Sequence, residues 1–232
     1  MATDVRLPVI GVPPLREGDR LTRAEFERRW NAMPEGTKAE LIEGVVSMAP
    51  SLTVDHGEPH FDLIGWLYMY RVLTPGVAGA DNASIRFDDR NMPQPDVLLR
   101  ILESHGGRCR VSADRCLEGG PELVAEVSAT TTAHDLGVKR DMYRLFGVQE
   151  YIVWRVADRA VDWFALHAGY YFPLDPRPDG VIQSQVFPGL WLHPTALVTG
   201  NMAQLLRTAQ EGHGTPEHSE FIRELHRRAN AR

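Results

Sequence analysis

Three side chains in the middle of the chain are of types that do chemistry together. Asp96 opens the apolar run PDVLL, Glu126 lies inside PELVAEVS, and Lys139 falls in the segment TTTAHDLGVKRDMYRLFG that follows. Two carboxylates on neighbouring strands can share a hard divalent cation, because Mg²⁺ takes oxygen ligands and keeps several of its waters. A lysine alongside can steer or activate one of those waters. Side chains alternate along a strand, so Glu122, Val124, Glu126 and Ser128 share one face while Leu123, Ala125 and Val127 take the other. A carboxylate in the middle of such an apolar run is costly to bury unless a partner or a metal answers its charge. An ion pair of Glu126 with Lys139 or Arg140 is the purely structural alternative.

Other groupings of reactive residues are weaker. His56 and His60 stand four apart, but Gly57 and Pro59 place His56 ahead of the helix, and HGEPH lacks the order of a zinc protease. Ser128, His134 and Asp135 are the right types for a nucleophilic triad, yet no Gly-x-Ser-x-Gly elbow surrounds the serine. Tyr143, four residues beyond Lys139, lies on the same helix face and reads either as packing over the site or as an ordinary core tyrosine, outside the catalytic set. Cys109 and Cys116 match none of the short zinc spacings and read as free thiols in a reducing cytosol.

The elements that must carry these residues are legible in outline. A proline-rich arm occupies about residues 1–20, and Thr22 with Glu25 has the form of a capping box for a helix over about 22–33. AELIEGVVSMAP, interrupted by Gly44, predicts a pair of short strands. Pro59 suits a first helical turn, and the helix after it has Phe61, Ile64, Leu67, Tyr68 and Val72 on a broad apolar face ending before Pro75. ASIRF and PDVLLRI read as strands, and about 103–120 as an irregular loop. PELVAEVS is a buried strand, and a helix stopped by Gly147 follows it. EYIVWRVA and AVDWFALH form a hairpin around Asp158-Arg159. Loops with one short strand are expected over about 170–195, and a helical tail with a basic, frayed end over 201–232. The expectation is one α/β domain over 21–200, with a mixed central sheet flanked by helices on both sides.

The chain has 232 residues, 43% of them hydrophobic and 24% charged, which suits a single folded core and excludes a disordered chain. No long apolar run or charged leader is present, so a cytoplasmic protein without a membrane segment is expected. The formal net charge of −6 lacks the basic surface with which nucleic-acid binders displace phosphate counterions. Contact with DNA would rest on a local basic strip or on metal ions.

The order and spacing of ELIEGVVSMAP followed by His56, of QPDVLL, and of PELVAEVSATTTAHDLGVKRDMYRLFGVQEYIVW resemble the Uma2-like (DUF820) branch of the PD-(D/E)XK nuclease superfamily. The likeness spans most of the chain and implies the restriction-endonuclease-like fold. It also implies that Asp96, Glu126 and the backbone carbonyl of Val127 bind Mg²⁺, with Mn²⁺ substituting. The superfamily's lysine usually stands two residues after the glutamate, where this chain has Ser128. The resemblance moves that role to Lys139 on the next helix and leaves Ser128 as a supporting hydrogen bonder. It assigns Glu40 to assisting the metal or holding a second ion, and His56 to orienting a phosphate or water. The implied reaction is hydrolysis of DNA phosphodiester bonds, and analogy with dimeric superfamily members suggests a homodimer. The alternative is a non-catalytic binding or regulatory module that keeps the nuclease fold, which the acidic balance favours.

Overall fold

The computed structural model describes residues 11–48 and 53–231. The first half of the arm, and Ala49 and Pro50 after the predicted strand pair, lie outside the described residues.

A six-stranded sheet organises the molecule. In chain order its strands are β3 (Val77–Asp81), β5 (Val97–Ile101), β8 (Leu123–Ser128), β9 (Glu150–Arg155), β10 (Ala160–His167) and β11 (Tyr170–Pro173), and in space they run β11-β10-β9-β8-β5-β3. Only β8 and β9 pair in parallel; the other neighbours are antiparallel, so the sheet is mixed. The central strands β8 and β9 are buried almost throughout, which suits their continuous runs of Val, Ile, Leu and Tyr.

The two faces of β8 separate as strand alternation requires. Leu123, Ala125 and Val127 join Ile152, Trp154 and Trp163 in one core, under α2 (Val54–Leu73), α6 (Met202–His213) and α7 (Pro216–Asn230). Val124 joins Leu98, Tyr151 and Val153 in a second core, beneath the helical segment that contains Tyr143. That segment is not the single helix expected. It runs as a turn of helix α3 (Thr132–His134), a π-type turn Asp135–Lys139 and helix α4 (Arg140–Leu145), with the break at Gly137 (φ −104°, ψ −108°).

A smaller layer completes the frame. Thr22 accepts the Glu25 N–H and starts α1 (Arg23–Trp30), whose Phe26 fills a third core with Leu41 and Val46. β1 (Ala39–Ile42) and β2 (Val45–Met48) form a hairpin whose two-residue turn, Glu43-Gly44, has φ 52° and 78°. Two positive φ values in succession are the signature of the tight turn that matches strand twist.

Several expectations need correction. α2 begins at Val54, so His56 lies inside the helix and Pro59 interrupts its second turn rather than opening its first. The helix is also rotated. Leu63, Trp66, Leu67 and Tyr70 face the core, while Phe61, Tyr68 and Val72 are exposed, because apolar residues surround this helix almost completely and the larger Trp66–Tyr70 stripe finds the sheet. The 103–120 stretch holds a short 3₁₀ turn (Glu103–His105) and strands β6 (Arg110–Val111) and β7 (Leu117–Glu118), the latter paired with β4 (Ile85–Arg86). After β11 come two further two-residue strands, β12 (Ile182–Gln183) and β13 (Trp191–Leu192), and helix α5 (Pro194–Val198). The basic C-terminal stretch stays helical to Asn230. Cys109 and Cys116 are free thiols, as expected. Among the described residues no helix is long and apolar enough to cross a membrane.

Candidate active site

The ladder between β5 and β8 ends at Val97↔Ala125, and the next residue on each strand closes the gap with its side chain. Asp96 Oδ2 accepts the Val127 N–H at 2.7 Å, and Glu126 Oε2 accepts the Asp96 N–H at 3.3 Å. The two carboxylates are thereby locked side by side where the strands diverge. At the other end of the ladder Glu122 Oε2 accepts the Ile101 N–H at 2.7 Å. Strand β5 is thus held to β8 by carboxylates at both ends.

Lys139 reaches the strand ends from the π-type turn. Its Nζ lies 2.7 Å from Glu126 Oε1, 3.2 Å from Glu40 Oε2 and 3.9 Å from Asp135 Oδ1. Tyr143, one turn further on, donates its hydroxyl to the same Glu126 Oε1 at 2.9 Å. Lys139 is 5% exposed and Glu126 3%, so water supplies little of their solvation. Glu40 comes from β1, and its Oε2 also takes the Gln94 N–H at 3.3 Å. From α2, His56 Nε2 lies 3.4 Å from Asp96 Oδ1, while His60 turns to the Asp96 carbonyl at 3.0 Å.

Burial and charge pull these groups in opposite directions. Burial would raise the Asp96 carboxyl, but His56 and the Val127 N–H hold it below its ordinary range. The same contact with Asp96 raises His56. Burial, reinforced by Asp96, Asp135 and Glu40, raises Glu126, while the ammonium of Lys139 at 2.7 Å opposes the rise and holds the two as an ion pair. Burial disfavours the Lys139 ammonium, yet Glu126, Glu40 and Asp135 more than offset that and raise it.

Around these residues is a cavity of about 340 Å³. Four carboxylates line it, Glu40, Asp96, Glu126 and Asp135, against the ammonium groups of Lys38 and Lys139. Val127 and the loop Ala129–Thr131 form part of its wall. His134 also lines it; its Nε2 is buried without a hydrogen bond, 3.9 Å from Glu40 Oε1. The chamber is acidic and lined with oxygen donors. Among the described residues no group of three or more His, Cys, Asp or Glu side chains is drawn together as a cation cage.

A family model described as "Putative restriction endonuclease", Uma2, matches residues 23–196. The chain belongs to the Uma2 family. No curated protein matches it. Four solved chains do, among them a crystal structure from Anabaena variabilis described as "a putative nuclease belonging to DUF820". That chain is 14% identical, the match covers 74% of this chain and 96% of that one, and the TM-score is 0.55. At this identity the likeness speaks for the fold.

Of the residues singled out in the sequence of this Uma2 protein, Asp96, Glu126, Lys139, Glu40, His56 and Val127 all border one cavity. Ser128 stands apart from it. Its hydroxyl meets Thr132 Oγ1 at 3.0 Å and Thr131 Oγ1 at 3.5 Å, and Thr131 in turn donates to Asp135 Oδ2 at 2.5 Å. Tyr143 and Asp135 belong to the cluster although the sequence reading left both out of it. The signal for each was a spacing of four from Lys139, which puts all three on one side of a helix.

Proposed function

We propose that this Uma2 protein is a divalent-metal-dependent endonuclease that hydrolyses DNA phosphodiester bonds, with Asp96, Glu126 and Lys139 as its working residues. The observation that carries the reading is the gathering of two locked carboxylates and a buried ammonium in one cavity that is acidic overall. A phosphodiester is repelled by four carboxylates facing two lysines, so anionic substrate enters only with added positive charge.

The donor set fits Mg²⁺ or Mn²⁺. Glu126 Oε1 is engaged by Lys139 and Tyr143, which leaves Oε2, held only by a long backbone contact, beside Asp96. Those two carboxylates and the Val127 carbonyl are the oxygen ligands that would hold the ion, with water filling other positions as Mg²⁺ prefers. When bound, the ion supplies Lewis-acid polarisation of a phosphoryl oxygen and charge for the departing one. Lys139 adds a fixed positive charge beside the attacked phosphate and orients the incoming water by hydrogen bonding. His56, made more basic by Asp96, is placed to hold a non-bridging phosphate oxygen or a water. Tyr143 keeps Glu126 from rotating.

Supercoiled and single-stranded DNA incubated with Mn²⁺ test the reading. Wild type is expected to nick and digest these substrates, and Asp96→Asn, Glu126→Gln and Lys139→Ala to lose at least about 100-fold in rate, the scale on which removal of one preorganised electrostatic group acts. Mn²⁺ should also raise the wild-type Tm and leave that of Asp96→Asn unchanged, since only a ligand of the native state stabilises it. Nicking that survives all three substitutions, or absence of both nicking and the Mn²⁺ shift, would overturn the assignment.

A further inference from the structure

A second chamber, of about 460 Å³, adjoins the active-site cavity, and Asn82 and Gln94 line both. Its walls combine the Trp30 indole, the side-chain amides of Asn31, Asn82 and Gln94, and the guanidinium groups of Arg86 and Arg115. Trp30 has its Nε1–H tied to the Thr37 carbonyl at 2.8 Å and one ring face stacked on Phe26, which fixes the ring at the chamber wall. Met92, 2% exposed, packs into the third core behind the wall.

Asn31 is exposed, and the two amides shared with the active-site cavity differ. Asn82 is committed, accepting from Lys38 Nζ at 2.9 Å and donating to Asp81 at 3.3 Å. Gln94 uses its backbone N–H on Glu40, while its half-buried side-chain amide has no protein partner among the described residues. A partly desolvated donor and acceptor side by side, unanswered by the protein, suit a ligand with the complementary pair. The arginines make a similar contrast. Arg86 is neutralised by Glu27 and Asp114, but Arg115 is exposed and has no acidic partner among the described residues.

We propose that this chamber receives an adenine base from the nucleotide next to the scissile phosphate, with Gln94 reading its edge, Trp30 walling its ring and Arg115 taking an adjoining phosphate. The proposal rests on the nuclease reading for its substrate. Adenine fits because its N6–H₂ and N7 present a donor and an acceptor that a glutamine amide meets with two hydrogen bonds. Trp30 offers the apolar contact that any base welcomes, and Arg115 gives charge without base preference.

The experiment titrates the protein in the presence of Mg²⁺ with dAMP, dGMP, dCMP and TMP by calorimetry or NMR, mononucleotides having no phosphodiester to turn over. Wild type should bind dAMP about 5-fold more tightly than the other three, the effect of one good amide–base pair. Gln94→Ala, which leaves the backbone bond to Glu40 in place, should bring all four to similar affinity. Gln94→Glu should also abolish the adenine preference, because a carboxylate accepts from N6 but has no N–H to give to N7. Arg115→Ala should weaken all four alike. Equal wild-type affinities, no saturable binding, or an adenine preference that persists in Gln94→Ala would overturn the proposal. Adenine-selective binding without DNA cleavage would leave the chamber assigned and the nuclease reading refuted; cleavage by a protein with no such preference would do the reverse.

Discussion

At the scale of single residues, Glu126 is the centre of the site. Its Oε1 receives an ammonium and a phenol, and its Oε2 a backbone amide, so every neighbour that keeps it in place is identifiable. Removing one partner of a buried ion pair strands the other, so Lys139→Ala should lower stability by about 3–5 kcal/mol in urea melts without metal. Tyr143→Phe deletes one hydrogen bond to the same carboxylate and should cost about 1.5–3 kcal/mol in the same assay. The larger loss belongs to the charge. Asp96, Glu126 and Lys139 were readable in sequence because acids in apolar runs demand an answer, and the segment after PELVAEVS offered an amine. Tyr143 was not, because a tyrosine in an amphipathic helix packs in most cases, and only the location of Glu126 Oε1 gives its hydroxyl a task.

At the scale of elements, the β1–β2 hairpin delivers Glu40 to the lysine, and its delivery depends on a turn only glycine tolerates well. Gly44 has φ 78°, and a methyl group there would meet Arg90 Nε and the Leu21 carbonyl at 3.2 Å. Gly44→Ala should therefore destabilise the fold by about 1 kcal/mol or more, measured as a fall in the urea midpoint. The hairpin was legible from the glycine between two apolar runs. The face of α2 was not: with apolar residues around nearly its whole circumference, spacing alone could not choose between Phe61–Tyr68 and Trp66–Tyr70, and packing against the sheet made the choice. The break at Gly137 escaped notice for the opposite reason, since TTTAHDLGVKRDMYRLFG keeps a helical period on both sides of it.

At the scale of the whole molecule, α2, α6 and α7 meet at a cluster of Tyr70, His213 and His218, with ring centroids 5.4–5.7 Å apart. Both ring nitrogens of His213 are buried without hydrogen bonds. Burial, with His218 adding repulsion, lowers this imidazole from the usual 6.5 to about 4. The folded state therefore refuses a proton that the unfolded chain accepts. Stability from this group is complete above about pH 6.5 and is lost as pH falls toward 4. After allowance for the ring's partial exposure the loss is of the order of 1–2 kcal/mol, and His213→Phe should flatten the Tm profile between pH 7 and 5. Nothing in the sequence marked these histidines, because the contact joins elements more than a hundred residues apart. The carboxylate clamps at the ends of β5 have a corollary for substitution. Asp96 and Glu126 accept backbone amides that would otherwise be orphaned, a task that the side-chain oxygen of Asn or Gln performs more weakly. An amide at position 96 would keep the clamp and lose the charge, whereas one at 126 would also strand the Lys139 ammonium, so the two ends of a single clamp are held to their acids by different constraints.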